Sequence, residues 1–284
     1  MKLGINTNNQ CGKDYVEILK NIKDAGFDSV MIAFNLKDDE NIIKEAQRLN
    51  LYIPYVHLDY KFGNDLWIKG ASADEYVDNV IKQVGLCGKY NIKTVVFHCT
   101  WGSPNDMARK PNQDGLNNFK KIFDVAESFG ISIALENTDK YSMKHLEYLM
   151  KNIKSKNLGF CYDVGHHNLY CPKTNLLKKF GNRLLALHLH DNYGGWHDGY
   201  DFTKDSHLLP FDGKIDFENI CKKIAKTNYE DVIMLEIHKT ALSTPDIYKK
   251  MDNLDYLKEA KERAEKLKDS IVKYKNLKEK RNEN

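Results

Sequence analysis

One kind of junction recurs along the chain and limits the folds open to it. An amphipathic stretch ends at Gly or Asn, an apolar residue follows, and a run of β-forming residues begins. Gly and Asn tolerate the left-handed backbone conformation that commonly ends a helix. Six junctions have this form: Gly26-Phe27, Asn50-Leu51, Asn91-Ile92, Gly130-Ile131, Asn157-Leu158 and Asn228-Tyr229. Gly181-Asn182 is a looser seventh, and seven helix-to-strand junctions predict eight strands.

The segments between these junctions support a parallel barrel. The predicted strands are short, mostly apolar and bounded by polar residues, as strands buried on both faces should be. They cover Leu3–Thr7, Ser29–Ala33, Tyr52–Leu58, Thr94–Cys99, Ser132–Glu136, Gly159–Asp163, Leu184–His190 and Val232–Ile237. Helical patterns such as Ala73–Lys89 lie between them. Strict alternation over this length predicts an α/β fold, a (β/α)8 TIM barrel. We expect one domain over residues 1–284, with the barrel over about 1–240 and a charged helical extension over about 250–284.

Charge and composition narrow the classes of function. From Lys258 to Asn284 there are ten Lys/Arg and six Asp/Glu, so this segment accounts for the chain's formal charge of +3. The near-neutral remainder gives no electrostatic footprint for nucleic acid. We see no signal peptide, no membrane-spanning run and no Cys-x-x-Cys pair, which favours a cytoplasmic protein with reduced thiols. The C-terminal helix is expected to be solvated, with one apolar face: Leu257, Ala260, Ala264, Leu267, Ile271 and Tyr274.

Polar side chains end six consecutive predicted strands. They are His57, His98, Glu136, Asp163, His190 and Glu236. His166 follows three residues after Asp163, and Asp205 and His207 lie in the long connection after strand seven. In a closed barrel these strand ends converge on one mouth, where several carboxylates would repel each other unless a cation lies between them. The pattern therefore predicts a divalent-metal site.

Each of these residues also has a structural explanation. A strand-end carboxylate can cap the next helix, and a strand-end histidine can be a hydrogen-bonded core residue. We expect His188 and His238 to lie in the barrel interior or to support the ligands, and His145 to lie on the surface. Three tryptophans follow predicted strands and could form aromatic walls for a sugar or simply pack the loops: Trp67, Trp101 and Trp196.

Four motifs resemble the xylose-isomerase-like TIM-barrel superfamily, which includes sugar isomerases and epimerases, inosose dehydratases and endonuclease IV. They are Ala134-Leu135-Glu136-Asn137, the run Gly159–His166, the run Ala186–Asn192 and Leu235-Glu236. The resemblance runs from Met1 to about Lys239. It implies that Glu136, Asp163, His190 and Glu236 bind one divalent metal and that His166 contacts substrate. Oxygen-rich ligands suit manganese, magnesium or cobalt at least as well as zinc.

The same chain is also similar to the three-zinc pattern of endonuclease IV. That pattern maps onto His57, His98, Glu136, Asp163, His166, His190, Asp205, His207 and Glu236. The neutral barrel and the segment Asn8–Gly12 after strand one depart from the DNA-penetrating loops of that family. The ketohexose 3-epimerase pattern is incomplete as well, because no second Glu follows Glu136 closely and no Arg lies between His190 and Glu236.

We therefore expect a divalent-metal-dependent isomerase or epimerase of a sugar, keto-polyol or sugar phosphate, working by proton transfer through a metal-stabilised enediolate. Glu136 and Glu236 are the expected catalytic acid and base, one on each side of the mouth. The residues expected to bind substrate are His166, His57, His98, Trp101 and His207. The alternatives are an abasic-site phosphodiesterase with three zincs and a non-catalytic carbohydrate-binding barrel. The expected partner is a small carbohydrate, with no nucleic acid or membrane, and a homo-oligomer stays open.

Overall fold

Eight parallel strands form the barrel in a computed structural model that describes residues 1–101, 108–194, 204–241 and 243–282. The strands are β1 Lys2–Asn6, β2 Ser29–Ala33, β3 Val56–His57, β4 Thr94–His98, β5 Ser132–Glu136, β6 Leu158–Asp163, β7 Leu184–His188 and β8 Val232–Leu235. They pair in the order β7-β6-β5-β4-β3-β2-β1-β8. A parallel bridge between Leu189 and Leu235 joins the two edge strands. The predicted (β/α)8 barrel is confirmed.

Helices follow the strands around the outside of the barrel. They are α1 Tyr15–Asp24, α2 Asp39–Arg48, α3 Ala71–Lys89, α4 Gln113–Ser128, α5 Lys140–Asn152, α6 Val164–Tyr170, α7 Leu176–Phe180, α8 Phe217–Ile224, α9 Asp246–Lys250 and α10 Asn253–Asn282. Short 3-10 turns cover Gly63–Trp67 and Gly181–Arg183. Among the described residues, no helix is both long enough and apolar enough to cross a membrane.

The recurrent junctions end helices in two different ways. Gly26, Asn50, Asn91 and Gly130 have φ between 53° and 86°, the left-handed conformation that the sequence pattern predicts. The later junctions at Asn157, Gly181 and Asn228 do not adopt it. Those three connections instead run through turns, a 3-10 helix or extended backbone. The pattern located the strands correctly, although the left-handed conformation holds only in the first half of the barrel.

Strand three is much shorter than predicted. Ser29 pairs with Tyr52 through an isolated bridge, and regular pairing resumes only at Val56. Pro54 lies in the gap, and proline has no backbone N–H to donate to a ladder. The carboxyl end of the strand, which carries His57, is nevertheless in register with its neighbours.

Two apolar layers hold the barrel together. The larger layer lies between the strands and the helices, and the smaller layer fills the barrel interior. The interior residues are Met31, Tyr55, Val96, Ala134, Cys161, Ala186, Val232 and Met234. Tyr55 crosses this interior, and its hydroxyl donates a hydrogen bond of 2.7 Å to the Leu187 carbonyl. The interior below the barrel mouth is therefore packed with side chains. A ligand would reach the interior through the mouth, at the carboxyl ends of the strands.

Helix α10 is part of the outer ring rather than a solvated appendage. It packs against α8, α1 and β8. The predicted apolar face from Leu257 to Ile271 is buried against the barrel. Arg263 on the same helix donates to the Pro210 carbonyl at 2.9 Å and to Asp212 at 3.1 Å, which ties α10 to the loop after β7.

Gly115 offers a test of the packing between α4 and the loop after β3. A Cβ at this position would lie 2.0 Å from Cε3 of Trp67, a fully buried side chain. We expect Gly115→Ala to lower the free energy of unfolding by about 1–3 kcal/mol through overpacking. The matched control is Gly85→Ala in α3, where a Cβ meets nothing within 4 Å and should stabilise the helix by about 1 kcal/mol. Urea denaturation of both variants measures the difference, and equal effects would contradict the packing argument.

Candidate functional site

The top layer of the barrel interior is polar and buried. Side chains alternate along a strand, so Ala134 and Glu136 face inward together, as do Cys161 and Asp163. The carboxyl ends of β3, β4 and β7 place histidine side chains at the same height in the barrel as Glu136 and Asp163. Six side chains from six strand ends form this layer: His57, His98, Glu136, Asp163, His188 and Glu236.

His57, His98 and Glu136 form a first group. Oε2 of Glu136 lies 3.2 Å from Nε2 of His57 and 3.3 Å from Nε2 of His98, and the two Nε2 atoms are 3.1 Å apart. Nδ1 of His57 donates to the Leu58 carbonyl at 2.8 Å, since a carbonyl can only accept. In the neutral ring, Nε2 of His57 therefore presents a lone pair towards the carboxylate.

Glu136, Asp163, His188 and Glu236 form a second group, in which one ligand atom from each residue lies within 4.8 Å of the other three. Nδ1 of His188 is 3.0 Å from Oε2 of Glu236, 3.3 Å from Oε2 of Glu136 and 3.8 Å from Oδ2 of Asp163. The carboxylates of Glu136 and Glu236 thus converge on one imidazole, although their strands lie on different sides of the barrel. They are neighbours rather than groups facing each other across the mouth.

The histidine in this second group is His188, whereas the sequence pattern indicates His190. The β6–β7 register explains the difference, because Asp163 pairs directly with His188. A register irregularity between Phe160 and Cys161 shifts the pairing of these two strands. His190 lies two residues further along and therefore one layer higher.

His190 joins His166, Asp205 and His207 in a third group. Asp205 Oδ2 lies 3.0 Å from Nε2 of His166 and 3.3 Å from Nε2 of His207. Nδ1 of His207 donates to the Glu236 carbonyl at 2.7 Å, which leaves a lone pair on Nε2 in the neutral ring. Nε2 of His190 is 3.2 Å from both carboxylate oxygens of Asp163, so the third group adjoins the second.

Local structure fixes the residues that carry these groups. Asp163 begins α6 and accepts a 2.6 Å hydrogen bond from the backbone N–H of His166. Asn137 donates to the Asp163 carbonyl and accepts from its N–H, at 2.8 and 3.0 Å. Asp191 accepts four backbone N–H groups and folds the loop that brings in Asp205 and His207: those of Asn192, Phe211, Gly213 and Ile215.

The donor set fits divalent cations. The lone pair of His57 Nε2 faces Glu136, an ionised acceptor, and two acceptors at 3.2 Å repel unless a proton or a cation lies between them. Nδ1 of His188 and Oε2 of Glu236 are buried 3.0 Å apart without the geometry of a hydrogen bond, and neither atom has another hydrogen-bond partner within the described residues. Imidazoles that donate one N–H to a backbone carbonyl and turn the other nitrogen inward are typical of metal ligands. Glu136 belongs to both the first and the second group and could bridge two ions.

Burial and the close packing of histidines and carboxylates shift the pKa values of the residues in the site. Burial raises the pKa of Glu136, but His188 and His98 lower it more, so the pKa lies well below its usual range. Burial lowers the pKa of His188, while Cys161, Glu236 and Glu136 raise it well above its usual range. The pKa of His238 falls to about 3 because of burial and the neighbouring His207. The Glu136 carboxylate is therefore ionised at neutral pH.

We expect metal affinity to increase with pH. Burial lowers the pKa of His207, but Asp205 and Glu236 outweigh it and raise the pKa to about 9. A cation at this histidine must displace its proton below pH 9, so the apparent association constant should rise about tenfold per pH unit for each displaced proton. Titration with Mn²⁺ at pH 6, 7 and 8 measures this slope. An affinity independent of pH would contradict a histidine-containing metal site.

Aromatic rings line one side of the mouth. Tyr60 stacks on His98 with ring centroids 4.3 Å apart and lies 4.4 Å from Trp101. Burial raises the pKa of Tyr60 to about 12, so its hydroxyl stays protonated. Sequence reasoning found Trp101 but missed Tyr60, which follows His57 by three residues.

The other aromatic predictions have different outcomes. Trp67 is buried in the core and does not reach the mouth, whereas Trp196 lies outside the described residues. His145 was predicted on the surface, and this prediction is wrong because the ring is fully buried 4.3 Å from Trp67.

The sequence profile of the xylose isomerase-like TIM barrel family matches residues 19–270. The chain belongs to this family. A relative from Sinorhizobium fredii, an uncharacterized protein, is 40% identical over 112 residues, 37% of this chain and 33% of the relative. The matched part of the chain thus spans about a third of that relative's length.

Solved structures of an epimerase-like protein and of an epimerase share the fold. A D-tagatose 3-epimerase-like protein superposes with a TM-score of 0.73 at 21% identity, covering 96% of this chain and 99% of that chain. The 3-keto-D-glucoside 4-epimerase from E. coli gives a TM-score of 0.69 at 18% identity, with coverages of 91% and 99%. At such identities the likeness establishes the fold of this family member.

Proposed function

We propose that this xylose isomerase-like barrel is a metal-dependent isomerase or epimerase of a sugar, keto-polyol or sugar phosphate. The observation that carries the proposal is the convergence of Glu136, Asp163, His188 and Glu236 within 4.8 Å at the barrel mouth. Three carboxylates and one imidazole suit manganese, magnesium or cobalt as well as zinc. Likeness to the solved structures of a D-tagatose 3-epimerase-like protein and of a 3-keto-D-glucoside 4-epimerase adds support.

The second group would hold the principal cation. Nε2 of His190 lies 3.2 Å from both carboxylate oxygens of Asp163, so His190 would orient that carboxylate. A divalent cation there supplies Lewis-acid stabilisation of negative charge on neighbouring substrate oxygens. The first and third groups either hold further cations or bind substrate hydroxyls, as the sequence pattern leaves open.

Glu236 and Glu136 are the proposed proton-transfer residues. Removing a proton beside a carbonyl needs a base, and returning it to the same or the neighbouring carbon needs an acid. Glu236 is the more accessible carboxylate, with 9% of its surface exposed against 1% for Glu136. Oε2 of Glu136 faces three imidazoles, whereas Oε1 lies near His166 alone, at 3.0 Å. Oε1 is therefore the oxygen of Glu136 proposed to exchange the proton.

Side chains around the mouth are proposed to orient the substrate. His166 lies between Glu136 and Asp205 and would hold a hydroxyl or an oxyanion. His57, His98 and His207 would contact further hydroxyls wherever they do not bind metal. The Trp101 ring, beside Tyr60, provides an apolar surface for a sugar face.

Proton exchange with solvent tests this proposal directly. The protein is loaded with Mn²⁺, Mg²⁺, Co²⁺ or Zn²⁺ and incubated in D₂O with ketoses, inososes and their phosphates, and deuterium at the α-carbon is followed by NMR. Incorporation that requires the cation and fails for Glu236→Gln supports an isomerase or epimerase. Absence of exchange in every compound would refute it.

A second candidate is phosphodiester hydrolysis at abasic DNA. The observation in its favour is that the first, second and third groups lie next to one another, so that each could hold one zinc. Cleavage of an abasic-site oligonucleotide, run beside the exchange assay, separates the two. Strand cleavage with three bound zincs and no exchange into any sugar would favour the phosphodiesterase.

A further inference from the structure

His238 is the outermost ring in a stack of three imidazoles at the barrel mouth. Ring centroids of His190 and His207 are 3.9 Å apart and the rings are 9° from parallel. His238 continues the stack at 4.5 Å from His207 and 19° from parallel. The stack places His238 beside the third group, while its own side chain remains partly exposed. It belongs to none of the groups of candidate ligands that the described residues form.

A chain of hydrogen bonds fixes which nitrogen of His238 accepts. The backbone N–H of Ile237 can only donate, and it donates to Oδ1 of Asn6 at 3.1 Å. The other end of Asn6 is therefore its amide NH₂, which donates to the Ile237 carbonyl at 3.2 Å and to Oδ1 of Asn8 at 2.6 Å. Nδ2 of Asn8 then donates to Nε2 of His238 at 3.3 Å.

This chain leaves one donor without a protein partner. Because Nε2 of His238 accepts from Asn8, the neutral ring carries its proton on Nδ1. No described residue hydrogen-bonds Nδ1, and it is not among the fully buried unpartnered atoms. An accessible N–H of fixed orientation thus lies on the ring that stacks on His207.

We infer that Nδ1–H of His238 donates a hydrogen bond to an uncharged oxygen of the substrate, a carbonyl or a hydroxyl, and so positions the sugar over the second group. The inference rests on the proposed function. The stack on His207 sets the plane of the ring, and Asn8 sets its tautomer. His238 is a positioning residue, because the proton transfer itself is assigned to the glutamates.

Three substitutions separate the N–H from the rest of the ring. His238→Phe keeps a ring for stacking but removes both nitrogens, and His238→Asn places an amide N–H near the position of Nδ1. Thr244→Val is the matched control, since Thr244 donates to the backbone carbonyl of His238 at 2.9 Å and leaves the ring edge untouched. Each protein is loaded with Mn²⁺, its metal content is measured, and kcat and KM are determined for the sugar that the unmodified protein exchanges best.

We expect His238→Phe to lower kcat/KM three- to tenfold, mainly through KM, the loss appropriate to one neutral hydrogen bond of about 1 kcal/mol. His238→Asn should recover most of this loss, Thr244→Val should lie within twofold of the unmodified protein, and metal content should not change. If His238→Phe and the unmodified protein had equal kcat/KM, the role of His238 would be overturned and the proposed function would stand. A ¹⁵N NMR spectrum showing the proton on Nε2 would overturn the role of His238 as well. An unmodified protein that exchanges no sugar proton overturns the proposed function and this inference together.

Discussion

Glu136→Gln is expected to reduce solvent exchange into the substrate by more than about a thousandfold. Glu136 is the residue shared by the first and second groups, and its Oε2 lies within 3.3 Å of nitrogens from His57, His98 and His188. Glutamine keeps the shape of the side chain but removes the negative charge that a cation needs. The variant should therefore lose both proton transfer and bound metal.

The same substitution should also destabilise the metal-free protein. The lone pair of His57 faces the Glu136 carboxylate, but His188 and His98 hold the pKa of Glu136 well below its usual range, so the ionised carboxylate stabilises the folded state at neutral pH and a neutral amide loses that contribution. We expect the Tm of the metal-free variant at neutral pH to lie below that of the metal-free native chain. Adding Mn²⁺ should raise the Tm of the native chain only, because a cation stabilises a protein in proportion to its binding to the folded state.

Elemental analysis, exchange kinetics and thermal unfolding with and without Mn²⁺ measure these effects. Glu147→Gln is the matched control, because Glu147 is half-exposed and pairs with Lys179 on the outer surface. It should change neither metal content nor exchange. Full metal content in Glu136→Gln would remove Glu136 from the ligands, and an unchanged exchange rate would remove it from the reaction.

The barrel could be predicted from local patterns because each strand and each helix carries its own periodicity. The inward direction of Glu136 and Asp163 follows from strand alternation alone, which is why the top layer was largely identified. The predicted carboxylates Glu136, Asp163, Glu236 and Asp205 all lie at the mouth. Burial of the α10 face also follows its helical spacing, although the sequence did not indicate the surface that covers it.

Which of His188 and His190 lies opposite Asp163 could not be predicted from the sequence. Both residues face inward on the same strand, and only the stagger between β6 and β7 decides which one lies opposite Asp163. Such a stagger depends on an irregularity at Phe160 that has no local signature. The position of Tyr60 could not be predicted from the sequence either, because a loop residue next to a short strand has no periodicity to place it.

His145 was predictable in principle. It lies one turn before Leu149 and next to Leu146, and both leucines face the core from α5. The helical spacing therefore places His145 on the buried face, and its Nδ1 donates to the Tyr141 carbonyl one turn back at 2.7 Å. The polar side chain favours a surface position, whereas the helical spacing favours the core. The buried position is possible because a histidine can satisfy one ring nitrogen within its own helix.

Asp191→Ala is expected to lower the free energy of unfolding by about 3 kcal/mol or more. The carboxylate of Asp191 accepts four backbone N–H groups at 2.8 to 3.1 Å. The residue itself is fully buried, and each amide left without a partner costs about 1–3 kcal/mol where water cannot replace the carboxylate. A Cβ at Gly213 would lie 2.2 Å from Oδ1 of Asp191, so the loop has been built tightly around this side chain.

The functional effect of Asp191→Ala should be selective. Asp191 holds the loop that carries Asp205 and His207, but the first and second groups stand on strands and do not depend on that loop. We therefore expect the third group to lose any cation while the metal bound by Glu136, Asp163, His188 and Glu236 remains.

Asp14→Ala is the matched control, because this exposed helix cap accepts from one backbone N–H, that of Glu17 at 2.9 Å, and should cost about 1 kcal/mol without changing metal content. Urea denaturation and elemental analysis of both variants measure the contrast. Equal stability losses would show that the loop holds its shape without Asp191, and uniform loss of all metal would show that the loop and the strand ends form one site.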